Sequence, residues 1–342
     1  MALYLHHSSS YEHETGAHPE NAGRLRAIEA ELARRGWLGL DRRPAPAATE
    51  EQLLRVHSAE HLRTIEGLVA GGGGMVDADT VASPGSWNAA LHAAGGAAWA
   101  AEALLAGEDR WAICALRPPG HHAERARAMG FCLVNNVAVA AAHALEVAGA
   151  GRVLVLDWDV HHGNGTGAIF ATSSEVLYAS IHQSPLYPGT GPARYEGEGP
   201  GEGFTVNLPV PPGSGNDEFT ALVEHVVVPI ARSYRPGLIA VSAGFDAHRQ
   251  DPLAECVVDE SGYATMAASV RRVAEELGVP VLVCLEGGYA PQALARSLCA
   301  TIEALEGAAV EEPAPAAVAG PYLERARSFA GAPAVVRARA AP

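Results

Sequence analysis

Several short runs rich in Val, Ile and Leu stop abruptly at polar or glycine-rich residues, and this pattern restricts the fold more than any other feature of the chain. A strand in a parallel sheet is covered by helices on both faces, so it reads as a continuous apolar run rather than as an alternation. The clearest cases are WAICAL (111–116) ahead of RPPGHH, RVLVLDWD (152–159) ahead of VHHGNG, LIAVSAG (238–244) ahead of FDAH, and VPVLVCL (279–285) ahead of EGGY. Between them lie alanine-rich or amphipathic stretches of helical length, 135–150, 217–234 and 261–278. Nearer the start, the spacing predicts a helix from about Asn21 to Arg35 stopped by Gly36, and another from Trp87 to Leu105. Strands alternating with helices imply an α/β protein: one three-layer α/β/α domain around a mainly parallel sheet. A chain of 342 residues fits one such domain. After about residue 310 the text becomes Pro/Ala-rich (EEPAPAAVAGP, then GAPAVVRARAAP), with little to bury. The expectation is a folded catalytic unit over 1–310 and a loosely packed tail over 311–342.

Composition excludes several classes of function. A formal net charge of -15 opposes binding to nucleic-acid phosphates. No apolar run reaches the roughly 18 to 20 uncharged residues that cross a bilayer. The opening MALYLHHSSSYEHE lacks a basic stretch, an apolar stretch and a cleavage site in succession, so a cytoplasmic location is expected. The five cysteines (114, 132, 256, 284 and 299) are scattered without a C-x-x-C pair, which argues against a disulfide framework and a thiolate zinc site. The run Gly71 to Gly74 is not followed by Lys-Ser/Thr and reads as a loop rather than a phosphate cradle. Nothing in the composition opposes a homo-oligomer.

In parallel α/β sheets, ligands bind beyond the carboxyl ends of the strands. The unusual polar clusters of this chain all lie there: His121-His122, then Asp157, Asp159 and His161, then Asp246, then Glu286-Gly287-Gly288-Tyr289. In DWDVH, an extended chain would turn Asp157, Asp159 and His161 to one side and Trp158 and Val160 to the other. Carboxylates so crowded need a cation, and a divalent metal is the economical one. Asp159, His161 and Asp246 supply the three protein ligands of a catalytic zinc site, although the same donors serve iron, cobalt or manganese. The histidine pair follows RPPG, whose prolines stiffen the approach, and an imidazole there suits a base near neutral pH. Tyr289, after two glycines, is placed to donate to an oxyanion.

The motifs RPPGHHAE, GFCLVNN, DWDVHHGNGT, SAGFDAHRQDPL and LEGGY closely resemble those of the zinc-dependent histone deacetylase superfamily, in its class II branch, and the resemblance runs from HETGAHPENAGRLRAI to about residue 306. It implies an arginase-like α/β fold and zinc held by Asp159, His161 and Asp246. His122 would be the general base and later the acid, with His121 as its electrostatic partner and Asp157 orienting His121. Asn164 stands where class I relatives carry Asp, so a neutral group would hold His122 and make it less basic. Tyr289 would stabilise the oxyanion, and the chain keeps the phenol that inactive relatives replace by His. Phe131 and Tyr187 match the aromatic walls of the acyl-lysine channel. The family further implies a structural potassium ion near Asp157, Asp159, His161, Ser180 and Ile181, and a second near Phe170, Ser173, Val176 and Phe204. Arg24 matches an arginine lining an interior cavity in some relatives, with a surface salt bridge as the other reading. Relatives that act on acetylated polyamines carry an acid at the position of Leu253. An apolar Leu253 therefore favours an acylated lysine peptide as the partner over an acetylated polyamine or other small amine.

Overall fold

Along Val153–Asp157, Val153 and Val155 enter one apolar core while Leu154 and Leu156 enter another, so both faces of this strand are covered. The same division runs through its neighbours, with Ala112 and Cys114 on one side and Trp111 and Ile113 on the other. It gives the layered plan expected of uninterrupted apolar runs. The computed structural model describes residues 2–331.

In chain order the strands are β1 (Leu3–His6), β2 (Asp41–Pro44), β3 (Gly74–Met75), β4 (Val81–Ala82), β5 (Trp111–Cys114), β6 (Val153–Asp157), β7 (Val176–Gln183), β8 (Thr205–Val210), β9 (Leu238–Ala243) and β10 (Val281–Leu285). The strands β3 and β4 form a small antiparallel hairpin. The other eight make a single parallel sheet in the order β2-β1-β5-β10-β9-β6-β7-β8. Helices Ser86–Leu105 and Asn136–Glu146 cover one face; Gly23–Arg34, Glu260–Leu277 and Pro291–Leu305 pack on the other. The alanine-rich Ser86–Leu105 lies close to the chain after β2, and Gly95 makes this approach possible, since a Cβ there would sit 2.2 Å from the Ala48 nitrogen. The helix expected over 217–234 is present but not uniform. It runs Asn216–Leu222, widens through Val223–Val227 and resumes at Val228–Tyr234. Pro229, which has no N–H to return to residue 225, accounts for the wider turn.

The tail departs from expectation. Residues Ala316–Tyr322 form a 3-10 turn and Leu323–Gly331 a helix. This segment lies along β8, the edge strand: Tyr322 Oη donates to Pro209 O at 2.6 Å, and Arg325 Nη2 donates to Gly203 O and Thr205 O at 3.1 and 3.0 Å. Phe329 is buried against Phe204 and Tyr234, with ring centroids 6.0 and 6.2 Å away. The loose packing expected from composition is therefore corrected for 316–331, because a few aromatic and basic side chains among the alanines carry the contact. The stretch 332–342 lies outside the described residues. Among the described residues no helix is long and apolar enough to cross a membrane. Replacing Phe329 by Ala should lower unfolding free energy by about 3 kcal/mol, read as an earlier urea midpoint; an unchanged midpoint would show that the segment does not contribute to the core.

Candidate active site

The strands β5, β10, β9 and β6 are immediate neighbours at the centre of the sheet, and each leads into one of the polar clusters. Parallel strands present all their carboxyl ends on one side, so residues as far apart as Gly120 and Glu286, 166 positions, meet there. Strand β6 ends at Asp157 and the chain then bends. The simple alternation expected over 157–161 therefore stops at Asp157, and the three residues divide between two environments. Asp159 and His161 join Asp246: His161 Nδ1 lies 3.1 Å from Asp159 Oδ1 and 3.2 Å from Asp246 Oδ2. One ligand atom from each of the three falls within 4.8 Å of the others.

These groups fit a divalent cation. All three are buried, and two carboxylates share the space with a single imidazole. Burial disfavours an imidazolium, yet the Asp159 and Asp246 carboxylates push His161 up to about 10, in keeping with the excess of negative charge around it. The backbone helps: Gly287 N donates to Asp159 Oδ2 at 2.8 Å and Val160 N to Asp246 Oδ1 at 2.9 Å. Residue 287 must be glycine, because a Cβ would stand 2.0 Å from Asp246 Oδ2 and 2.6 Å from Asp159 Oδ2.

Asp157 serves the histidine pair instead. Its Oδ2 is 3.1 Å from His121 Nδ1 and accepts from Tyr178 Oη at 3.0 Å. The rings of His121 and His122 are 4.0 Å apart, yet their protonation is driven in opposite directions. Burial opposes charge on His121, but Asp159 and Asp157 outweigh it and raise the group well above its ordinary value. Burial, then the neighbouring His121 and His161, hold His122 well below its own. His122 Nδ1 meets Asn164 Oδ1 at 2.8 Å.

A cavity of about 220 Å³ opens over these groups, lined by Asp79, His122, Gly130, Phe131, His161, Leu186, Tyr187, Leu253 and Tyr289. Tyr187 stands edge-on to His122 at 5.2 Å, and Phe131 edge-on to Tyr289 at 5.6 Å. Phe131 has a φ of 69°, an uncommon conformation for an aromatic residue, held by Thr80 Oγ1, which accepts from its N–H at 3.1 Å. The Gly288–Tyr289 peptide is fixed at both ends: Arg24 Nε donates to Gly288 O at 2.7 Å, and Tyr289 N donates to Asp251 Oδ2 at 2.6 Å.

Arg24 is fully buried, which excludes the surface salt bridge as its role. It pairs with Glu20 at 3.2 Å, lies 5.1 Å from the Tyr289 ring centre and also donates to Glu286 O. Glu20 in turn binds Arg117, at the start of the RPPG loop, through Nε and, at 2.7 Å, Nη2. Burial opposes its charge, but Arg117 and His13 hold the Glu20 carboxyl well below the usual range. Glu286 accepts from Gly120 N at 2.6 Å, His121 N at 3.1 Å and Ser242 Oγ at 3.1 Å, and so ties the end of β10 to the RPPGHH loop and to β9 rather than facing the cavity. Sequence reading gave no role to Glu20, Arg117 and Asp251, although they stand inside the quoted motifs, because their partners are far away in the chain, and none to Tyr178, which stands inside an ordinary strand. Ser180 pairs in register with Asp157 across β6 and β7, and Ile181 is buried beside it. Phe204 O accepts from Tyr178 N, and Phe170 O from Ser173 N, both at 2.9 Å.

Two substitutions test this framework. Gly287→Ala should displace the Asp159 and Asp246 carboxylates and reduce bound metal well below one ion per chain while leaving circular dichroism intact; full metal content would contradict the packing. Glu20→Ala, which strands two buried arginines, should cost about 3–5 kcal/mol in chemical denaturation.

Comparison with known proteins places this arrangement. The histone deacetylase domain family matches residues 18–305. A probable deacetylase of Methanothermobacter thermautotrophicus is 44% identical over 308 residues, covering 89% of this chain and 91% of the relative. A histone deacetylase-like amidohydrolase of Pseudomonas aeruginosa is 43% identical over 278 residues, covering 80% of this chain and 73% of the relative. The crystal structure of the HDA15 HD domain superposes with a TM-score of 0.88 at 37% identity, covering 99% of this chain and 98% of that one. With its fold, its clustered ligands and these likenesses in agreement, the chain belongs to the histone deacetylase family of amidohydrolases, which act on acetylated substrates.

Proposed function

We propose that this protein is a zinc-dependent hydrolase of the cytoplasm that removes acetyl or short acyl groups from the ε-amine of lysine in peptides and proteins. The observation that carries the reading is the cavity whose floor holds His122, His161 and Tyr289 and whose walls are Phe131, Leu186, Tyr187 and Leu253. A lysine side chain has a long methylene stem, and apolar walls of this kind suit it.

Asp159, His161 and Asp246 would hold the zinc ion, which when bound supplies Lewis-acid polarisation of the acyl carbonyl and acidifies a water. His122 takes the proton of the attacking water at Nε2, since its Nδ1 is engaged by Asn164. The depressed basicity of His122 keeps it neutral and ready to accept. The Tyr289 hydroxyl donates to the oxyanion that develops on the acyl oxygen, and the pinned Gly288–Tyr289 peptide keeps the ring on station. His122 then returns the proton to the departing amine. Asp157 orients His121, whose charge stands beside the base. The same reading assigns a structural potassium ion to Asp157, Asp159, His161, Ser180 and Ile181, supported by the burial of all five and by the Asp157–Ser180 register. A second is assigned to Phe170, Ser173, Val176 and Phe204, which lie in the turn ahead of β7 and at the starts of β7 and β8.

A second reading, deacetylation of acetylated polyamines, draws support from Asp79 at the cavity wall and from the net charge of -15, both attractive to a cationic substrate. The experiment compares zinc-loaded enzyme on acetyl-lysine peptides and on N-acetylated putrescine and spermidine. Peptides should be preferred at least tenfold in kcat/KM, and Tyr289→Phe and His122→Ala should each lower kcat by about 10²- to 10⁴-fold. Preference for the polyamines would select the second reading. Normal turnover by both variants would overturn the mechanism.

A further inference from the structure

Asn164 gives His122 an amide where a carboxylate would leave no ambiguity. An amide carries an acceptor oxygen and a donor nitrogen of similar size, so it can satisfy a neutral imidazole in either tautomer. With the oxygen toward His122 Nδ1, that nitrogen carries the proton and Nε2 keeps its lone pair. With the amide turned over, the proton resides on Nε2 and the ring accepts nothing from the cavity side. The two arrangements differ completely in what the ring can do, and the imidazole itself does not choose between them.

The choice is made on the far side of the amide. Asn164 Nδ2 donates to Glu124 Oε1 at 2.7 Å, while Oδ1 faces His122 Nδ1 at 2.8 Å. A carboxylate has acceptors only, so it draws the amide nitrogen and repels the amide oxygen. Two further acceptors stand on the same side, Met129 Sδ at 3.4 Å and His122 O at 3.5 Å. Glu124 is itself held by its backbone: its N donates to Arg127 O at 2.8 Å, and its O lies 3.0 Å from His57 Nδ1. Gly165, next to Asn164, packs so closely on this strand of chain that a Cβ would lie 2.3 Å from Ala123 O.

We infer that Glu124 is a positioning residue that fixes the Asn164 amide and, through it, the tautomer of His122. It also polarises the amide, which strengthens Oδ1 as an acceptor for the His122 Nδ1 proton. The inference rests on the reading of His122 as the general base.

Glu124→Gln keeps the size but offers donor and acceptor alike; Glu124→Ala removes the group. In the zinc-loaded enzyme each should lower kcat about tenfold with KM unchanged, a part of the roughly 10²- to 10⁴-fold that a positioned base contributes. Nitrogen NMR of the His122 ring should show the Nδ1-protonated form giving way to a mixture. In Asn164→Asp the nearer carboxylate fixes the tautomer unaided, so the double variant Asn164→Asp/Glu124→Gln should recover most of the kcat that Glu124→Gln loses. Wild-type kcat and an unmixed ring signal in Glu124→Gln, or a double variant no better than Glu124→Gln alone, overturns the inference. Full activity in His122→Ala removes the base assignment and the inference with it, whereas an inactive His122→Ala beside an unaffected Glu124→Gln removes only the role of Glu124.

Discussion

Two aspartate carboxylates and one imidazole held together at the ends of neighbouring strands are the constraint around which the molecule is organised. Their mutual repulsion in a buried place is large, so the surrounding backbone must be fixed well enough to keep them there until a cation offsets it. Much of the interior polar structure answers that need. Gly287 N and Val160 N donate to the two carboxylates, and Glu286 gathers Gly120, His121 and Ser242 immediately beneath. The Glu20–Arg117–Arg24 network then fixes the two loops that carry the histidines and the tyrosine.

The central placement of these strands follows from the order of crossovers. β5 and β6 are successive major strands in the chain, yet β10 and β9, which come last, insert between them. The final third of the sequence is therefore needed to bring Asp246 and Tyr289 against residues fixed much earlier. Such a site forms only when the sheet is complete, because the ties between its strands span long stretches of sequence.

The chain makes some of this legible and hides the rest for physical reasons. The four central strands were readable because burial on both faces leaves a bare apolar run, and the reactive clusters because they follow those runs directly. β1, β2, β7 and β8 carry histidine, arginine, glutamine or proline and give a weaker signal. Glu20 and Arg117 look like surface charges in the sequence; only folding shows that they neutralise each other in the interior. Asp157 was grouped with Asp159 and His161 by a periodicity that ends where the strand ends. Asn164 reads as a neutral replacement for a carboxylate, but the charge is one hydrogen bond further out, on Glu124, where no spacing rule points.

The two borders of the sheet are closed by different means. At β2 the sequence Asp-Arg-Arg-Pro places charge and a proline, which lacks an N–H, along the last strand. At β8 the closure is made by the C-terminal helix, whose Arg325 occupies the carbonyls of Gly203 and Thr205 and whose Phe329 fills the space beside Phe204. One border is thus protected by its own composition, the other by a separate segment folded over it. Without that segment the carbonyls of Gly203, Thr205 and Pro209 would lose these partners at an open sheet edge, the kind of edge that invites strand-to-strand pairing, so a short piece of chain remote from the chemistry guards the fold against it.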